Sequence, residues 1–220
     1  MSSSFTGLPT LLVLLAAPHS SGTAGDFAPP RIDLPRKGFE LIANERGVAV
    51  YKNNSSDAIW IGAVGLIPAP PAQVYAALLE YERQVGKIGR VSEATVLSRG
   101  PNALDVYERL NLPIIRDRDF VLRVKHGEDV TRRWITYRAV SDRGPGPRGG
   151  IVRVVRHDGQ WELLPAQDGR ATLARNEFRI NLGGMVPLWM AKARAGREIP
   201  QLFSEICRLS LGAGKAGTCP

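Results

Sequence analysis

From residue 94 to residue 181 apolar and polar positions alternate in six runs, near 94–99, 103–112, 118–126, 132–141, 151–164 and 170–181. A period of two marks strands with one face on a core. The runs are separated by GPN, HGED, DRGPGPRGG and QDG, residues suited to turns. Closely spaced strands with short connections predict an antiparallel sheet. Two further β-rich runs, VAVYK and AIWIGAVGLIPA, flank NNSSD upstream. The stretch GFELIANERG, ending at Gly47, reads as a short first helix. In APPAQVYAALLEYERQV the spacing becomes helical: Val74, Leu78, Tyr81 and Val85 share a face, and Pro71 falls in the first turn. Over 187–210, Leu188, Ala191, Ala195, Ile199, Leu202, Ile206 and Leu209 form one apolar stripe. Pro200 is expected to kink that helix, crowding Gly196. The order helix, two strands, helix, six strands, long helix predicts an α+β domain, a curved antiparallel sheet wrapped around the C-terminal helix and enclosing a hydrophobic cavity.

Polar residues at inward positions are the candidates for chemistry. Glu108 lies in the set Leu104, Val106, Leu110 and Leu112; Asn176 in the set Thr172, Ala174, Phe178 and Ile180. The same parity places Arg138 with Trp134, Thr136 and Val140, and Arg156 with Val152 and Val154. A buried carboxylate needs a partner, and Arg138 and Arg156 are the candidates for Glu108. A one-residue bulge would reverse these faces and leave Glu108 in a surface ion pair, so both placements stay open. Arg116, Asp117, Arg118 and Asp119 alternate in sign at a strand entry, a pattern of surface ion pairs. No inward run contains a histidine, and no nucleophile is seen beside a base.

Composition narrows the partners. Hydrophobic content of 44% and charged content of 23% are globular values. The formal charge of +8 favours anionic partners, but no run of five Lys or Arg occurs and aromatics are only 7% of residues, which argues against nucleic acid. His19, His126 and His157 are scattered and there is no CxxC, so neither a metal nor a cofactor is implied. Cys207 and Cys219 are either a disulfide or two thiols with Cys207 in the core.

Residues 1–24 carry no charged side chain, and Leu8–Ala17 is an apolar stretch of ten residues, against the ~20 a bilayer span requires. With small residues at Gly22 and Ala24 this reads as a signal peptide, followed by a proline-rich linker over 25–37, a domain over 38–211 and a tail over 212–220. The expected location is periplasmic or secreted. The missing Lys or Arg near the start leaves a misassigned N-terminus, and a cytoplasmic protein, as the alternative. In INLGGMVPLWMAKARAGREIP the apolar part covers 183–191 before Lys192 and Arg194, too short for a membrane anchor. Gly183 and Gly184 are read as a hinge, with Met185, Leu188 and Trp189 on the inner face of a lid.

Taken in order, GVAVYK, IGAVGLIPAPPAQVYAALLEY, VSEATVLSRGPNALDVYERLNLP, RDRDFVLRV and GQWELLPAQDGRATLARNEFRINLGGMVPLWM resemble the START-type lipid-transfer domain of the helix-grip superfamily. The resemblance covers about residues 38–210, and its most specific parts are Arg118-Asp119-Phe120-Val121 and the stretch from Gly183 to Trp189. It implies one lipid or sterol-like molecule held between the sheet and the C-terminal helix. The ligand-binding candidates are then Glu108, Arg138, Arg156, Asn176, Phe178, Met185, Leu188, Trp189 and Leu202. The expected function is binding and transfer of a sterol-like, phospholipid or isoprenoid ligand by a monomer that visits anionic membrane surfaces, without catalysis. The alternative is a polyketide or terpenoid cyclase or dehydratase using Glu108, Tyr107 or Arg138. A third reading is an interaction domain whose cavity is filled by Trp134, Trp161 and Phe178.

Overall fold

The computed structural model describes residues 28–54, 58–113, 115–183, 188–212 and 219, with side chains of the last helix described from residue 194. The strands are β1 (Glu40–Glu45), β2 (Val48–Asn53), β3 (Ile59–Ile67), β4 (Val91–Arg99), β5 (Ala103–Leu110), β6 (Arg118–Glu128), β7 (Arg133–Ala139), β8 (Val152–Arg153), β9 (Arg156–Ala166) and β10 (Ala171–Asn181). The helices are α1 (Pro71–Leu79), α2 (Tyr81–Gln84) and α3 (Leu188–Leu211). The sheet order is β1-β2-β3-β10-β9-β7-β6-β5-β4 with antiparallel neighbours, and β8 lies off this path, parallel to β6. The molecule therefore has the expected α+β architecture: a large antiparallel sheet with few helices, closed on its concave side by the C-terminal helix.

The stretch expected as the first helix is instead β1. Arg46 and Gly47 have φ of 53° and 73° and make the two-residue turn to β2. Positive φ at both central positions is the hairpin geometry whose twist matches the flanking strands. A glycine after polar residues thus served a turn, where the pattern had suggested a helix end. The edge strand is worth having here because α3 packs on it: a Cβ added at Gly196 would sit 3.2 Å from the Ala43 Cβ. The small residue four positions before Pro200 therefore brings the helix backbone close to β1.

The helix expected to run through residue 85 breaks at Glu80, whose φ and ψ are −89° and 63°. Buried Gln84 donates through Nε2 to the carbonyls of Ala77 and Leu78, both at 3.1 Å, satisfying acceptors at the α1 end that no following turn reaches. The break lets α2 turn Tyr81 into the interior.

α3 fills the concave side with Ala195, Ile199, Phe203 and Ile206, all buried. The Phe203 ring lies 5.5 Å from that of Trp161 on β9. Cys207 is disulfide-bonded to Cys219 and ties the tail to α3. On the convex side residues 28–39, most of which had the composition of a linker, run across the sheet. Ile32, Leu34 and Phe39 are buried against Tyr51, Trp60 and Val64. Gly62 on β3 makes the seat, since a Cβ there would overlap the Leu34 side chain. Beside this strap the fully buried Glu162 receives Arg132 at 2.8 Å, Arg175 at 3.2 Å and Arg31 at 3.3 Å, so its charge is compensated.

Candidate ligand cavity

Uninterrupted registers fix which side chains of β5, β7, β9 and β10 point inward. Tyr137, Gly159 and Phe178 form one row across β7, β9 and β10, and Ile135, Trp161 and Asn176 form the next. On β5, Glu108 pairs with Ala94 of β4 and Phe120 of β6. Together with Tyr81 from α2 and Ile199, Leu202 and Ile206 from α3, these rows enclose a cavity of about 390 Å³. That volume is at the lower end of the ~300–1,000 Å³ usual for small-molecule sites.

Its wall is mostly aliphatic and aromatic, with a small set of polar groups inside. Tyr137 lies over Gly159, where any Cβ would overlap its hydroxyl, and so reaches a hydrogen bond with Asn176. Asn176 Nδ2 also donates to the Gln160 carbonyl at 3.1 Å. Burial raises the phenols of Tyr137 and Tyr81 well above their ordinary range, so both are neutral donors. Glu108 is 6% exposed, and burial alone pushes its carboxyl up to about 7. Among the described residues it has neither a hydrogen-bond nor an ion-pair partner. His157 is packed edge-on against Phe120 and Tyr137, at 4.8 and 5.2 Å between ring centroids. Burial lowers its pKa to about 4, and its Nδ1 has no partner among the described residues.

The mouth lies between residues 88–91, the end of β5 and the middle of α3. Two contacts join its sides. Arg90 pairs with Glu198 at 3.5 Å, and the Gly89 amide donates to Glu205 at 2.7 Å. Gly86 and Gly89 have φ of 69° and 54°, a backbone that side-chain-bearing residues rarely adopt.

Of the residues singled out from sequence, Glu108, Asn176, Phe178 and Leu202 line the cavity. Arg138 does not. It is exposed on the outer face, and its neighbour Tyr137 takes the inward position. The parity was misread because Trp134 is buried on that same outer face, covering Gly127. Arg156 is half-buried at the start of β9 and does not line the cavity either. Neither arginine partners Glu108. The run expected over 151–164 is two strands, β8 and β9, joined through Val154 and Val155, which shifts the alternation and turns His157 inward. The expectation of no inward histidine is thereby corrected; the adjacent valines were the signal that one period did not hold throughout. Met185 and the hinge partner Gly184 lie outside the described residues, as do the side chains of Leu188 and Trp189. Gly183 has φ of 64°, and its carbonyl accepts from the buried Arg118 at 3.2 Å. Arg118 was expected among surface ion pairs, yet it is buried on backbone carbonyls, and burial lowers its pKa.

Comparison with solved structures identifies the architecture. Human STARD10 superposes with a TM-score of 0.72 at 16% identity, covering 80% of this chain and 74% of that one. The STAR-related lipid transfer protein from Xanthomonas axonopodis gives 0.68 at 22% identity, covering 77% and 98%. The lipid transfer and protein localization domain of human StarD13 gives 0.65 at 20% identity, covering 80% and 89%. The chain has the START-type helix-grip fold. Sequence comparison finds no matching family model and no matching curated protein.

Proposed function

We propose that this protein is a carrier that binds one lipid or other hydrophobic molecule in the internal cavity and transfers it between surfaces. The observation that carries this reading is the cavity of about 390 Å³ between sheet and α3, walled by apolar side chains with a few polar groups inside. Removing a lipid's apolar surface from water is worth roughly 25 cal/mol per Å² before the costs of association. The size favours a single-chain or small-ring ligand over a two-chain phospholipid. Lipid transfer is named for the Xanthomonas axonopodis and StarD13 neighbours, and the shared fold supports extending it to this chain. The open cavity counts against the collapsed, side-chain-filled alternative.

Export fits the same reading. A disulfide between Cys207 and Cys219 is at home in an oxidising compartment, and the charge of +8 draws the protein toward anionic bilayers. Incubation with a total lipid extract, re-isolation and mass spectrometry tests the proposal. The expected result is one lipid or isoprenoid class bound near one per chain; a protein recovered bare refutes it.

One observation favours the enzymatic alternative: a neutral imidazole and a carboxyl with a pKa about 7 share one cavity, groups suited to proton transfer. A bound polyketide or terpenoid recovered as a new product after long incubation would establish it. Recovery unchanged supports carriage alone.

A further inference from the structure

Glu108 poses a question that carriage of a hydrophobic molecule does not answer. Its side chain is nine-tenths buried, lines the cavity and lacks any partner among the described residues. Buried carboxylates are ordinarily paired, as Glu162 is on the other face of this same sheet. Among the described residues, the groups around Glu108 offer no charge. β4 presents Ala94 and β6 presents Phe120, while Tyr81 of α2 and Tyr137 of β7 are near enough to feel its field. His157 of β9, packed edge-on against Phe120 and Tyr137, is neutral at pH 7. Among the described residues lining the cavity Arg90 alone is cationic; it is exposed at the mouth and already paired with Glu198, with Glu205 close by.

This charge pattern discriminates between ligand headgroups. A phosphate or carboxylate would enter past two glutamates and meet a third inside, with no cation among the described residues of the interior to receive it. A protonated amine meets the opposite situation. The carboxylate supplies its counter-charge, and Tyr81, Phe120, Tyr137 and Trp161 line the same cavity, aromatic rings of the kind that attract cations through the ring quadrupole. Resting on the carrier reading above, we propose that the ligand is an apolar molecule bearing a basic nitrogen, and that Glu108 is its counter-ion inside the aromatic wall. The partner that the described residues do not supply to Glu108 is thus the ligand.

Isothermal titration with decylamine, decanol and decanoic acid tests this at constant chain length. At about pH 8 the amine is expected to bind about tenfold or more tighter than the alcohol, with the acid weakest. Lowering the pH to about 5, where Glu108 takes up a proton while the amine keeps its charge, shrinks the amine's advantage. Glu108→Gln removes that advantage, bringing the amine's affinity at about pH 8 to within about threefold of the alcohol's in the same variant. Equal or tighter binding of decanol to the wild type at about pH 8 overturns the inference, as does an amine preference that survives in Glu108→Gln. If that variant does not fold, the wild-type pH series decides: a preference indifferent to pH refutes the proposal. Alcohol binding without an amine preference would remove this inference alone. Binding of none of the three would remove the carrier reading with it.

Discussion

At pH 7 the Glu108 carboxyl stands near its midpoint, because burial has pushed it up to about 7. An unfolded chain releases that proton near ~4.3. Between these values the folded state holds the extra proton, so this group's contribution to stability falls as pH rises through the window and stays low above it. The separation corresponds to roughly 3–4 kcal/mol at 1.36 kcal/mol per unit. His157 works in the opposite direction. Its folded pKa of about 4 lies below the ordinary imidazole value, so its contribution rises with pH over an overlapping range. The two partly cancel in the wild type, and a difference measurement separates them. Urea unfolding of wild type and Glu108→Gln at about pH 5 and pH 8 should show the variant gaining on the wild type by roughly 1–3 kcal/mol at the higher pH. A stability difference that does not change with pH would contradict the burial of an uncompensated carboxyl.

Among the elements, the strap over residues 28–39 shows how a small residue on one strand determines what covers the sheet. Gly62 leaves the space that Leu34 occupies, and Leu34 is nearly fully buried there. Gly62→Ala should destabilise by about 1–3 kcal/mol through overpacking, and Leu34→Ala by about 2–5 kcal/mol through the cavity left. The two act on one volume, so the double variant should cost clearly less than the sum, a coupling readable in a denaturant double-mutant cycle. Strict additivity would mean that the strap does not seat on β3. This element was not legible beforehand because Ile32 and Leu34 are isolated apolar residues among prolines, with no period to announce a buried face. Long, regular registers were legible. In β5 and β10 the alternation holds across the strand: Asn176 and Phe178 face inward as their parity implies, and Glu108 takes the inward one of the two placements that the pattern left open. It failed where an element broke or both faces were buried: Val154–Val155 reset the parity ahead of His157, and Trp134 buried on the outer face disguised Arg138 as inward.

For the whole molecule, the helix-grip arrangement follows from a sheet too long to stay flat and one amphipathic helix able to cover its concave side. Packing closes most of that volume. The row Tyr137, Gly159, Phe178 and the turn that brings in Tyr81 leave a cavity of about 390 Å³ whose mouth is bridged by Arg90–Glu198 and Gly89–Glu205. Sequence pattern located the C-terminal helix, the sheet and the inward faces of β5 and β10. The dimensions of the cavity depend on side chains from several strands at once and so could not be read along any one of them. Leu202, half-buried on α3 and facing the cavity, offers a way to fill it with little cost to the core. Native mass spectrometry of lipid-loaded wild type beside Leu202→Trp is the most direct test of carriage in this cavity. The account predicts one bound molecule per wild-type chain and loss of most of that adduct in the filled variant, with melting temperatures within a few degrees (roughly 1 kcal/mol) of each other. An adduct equally abundant on both proteins, or on neither, would contradict it.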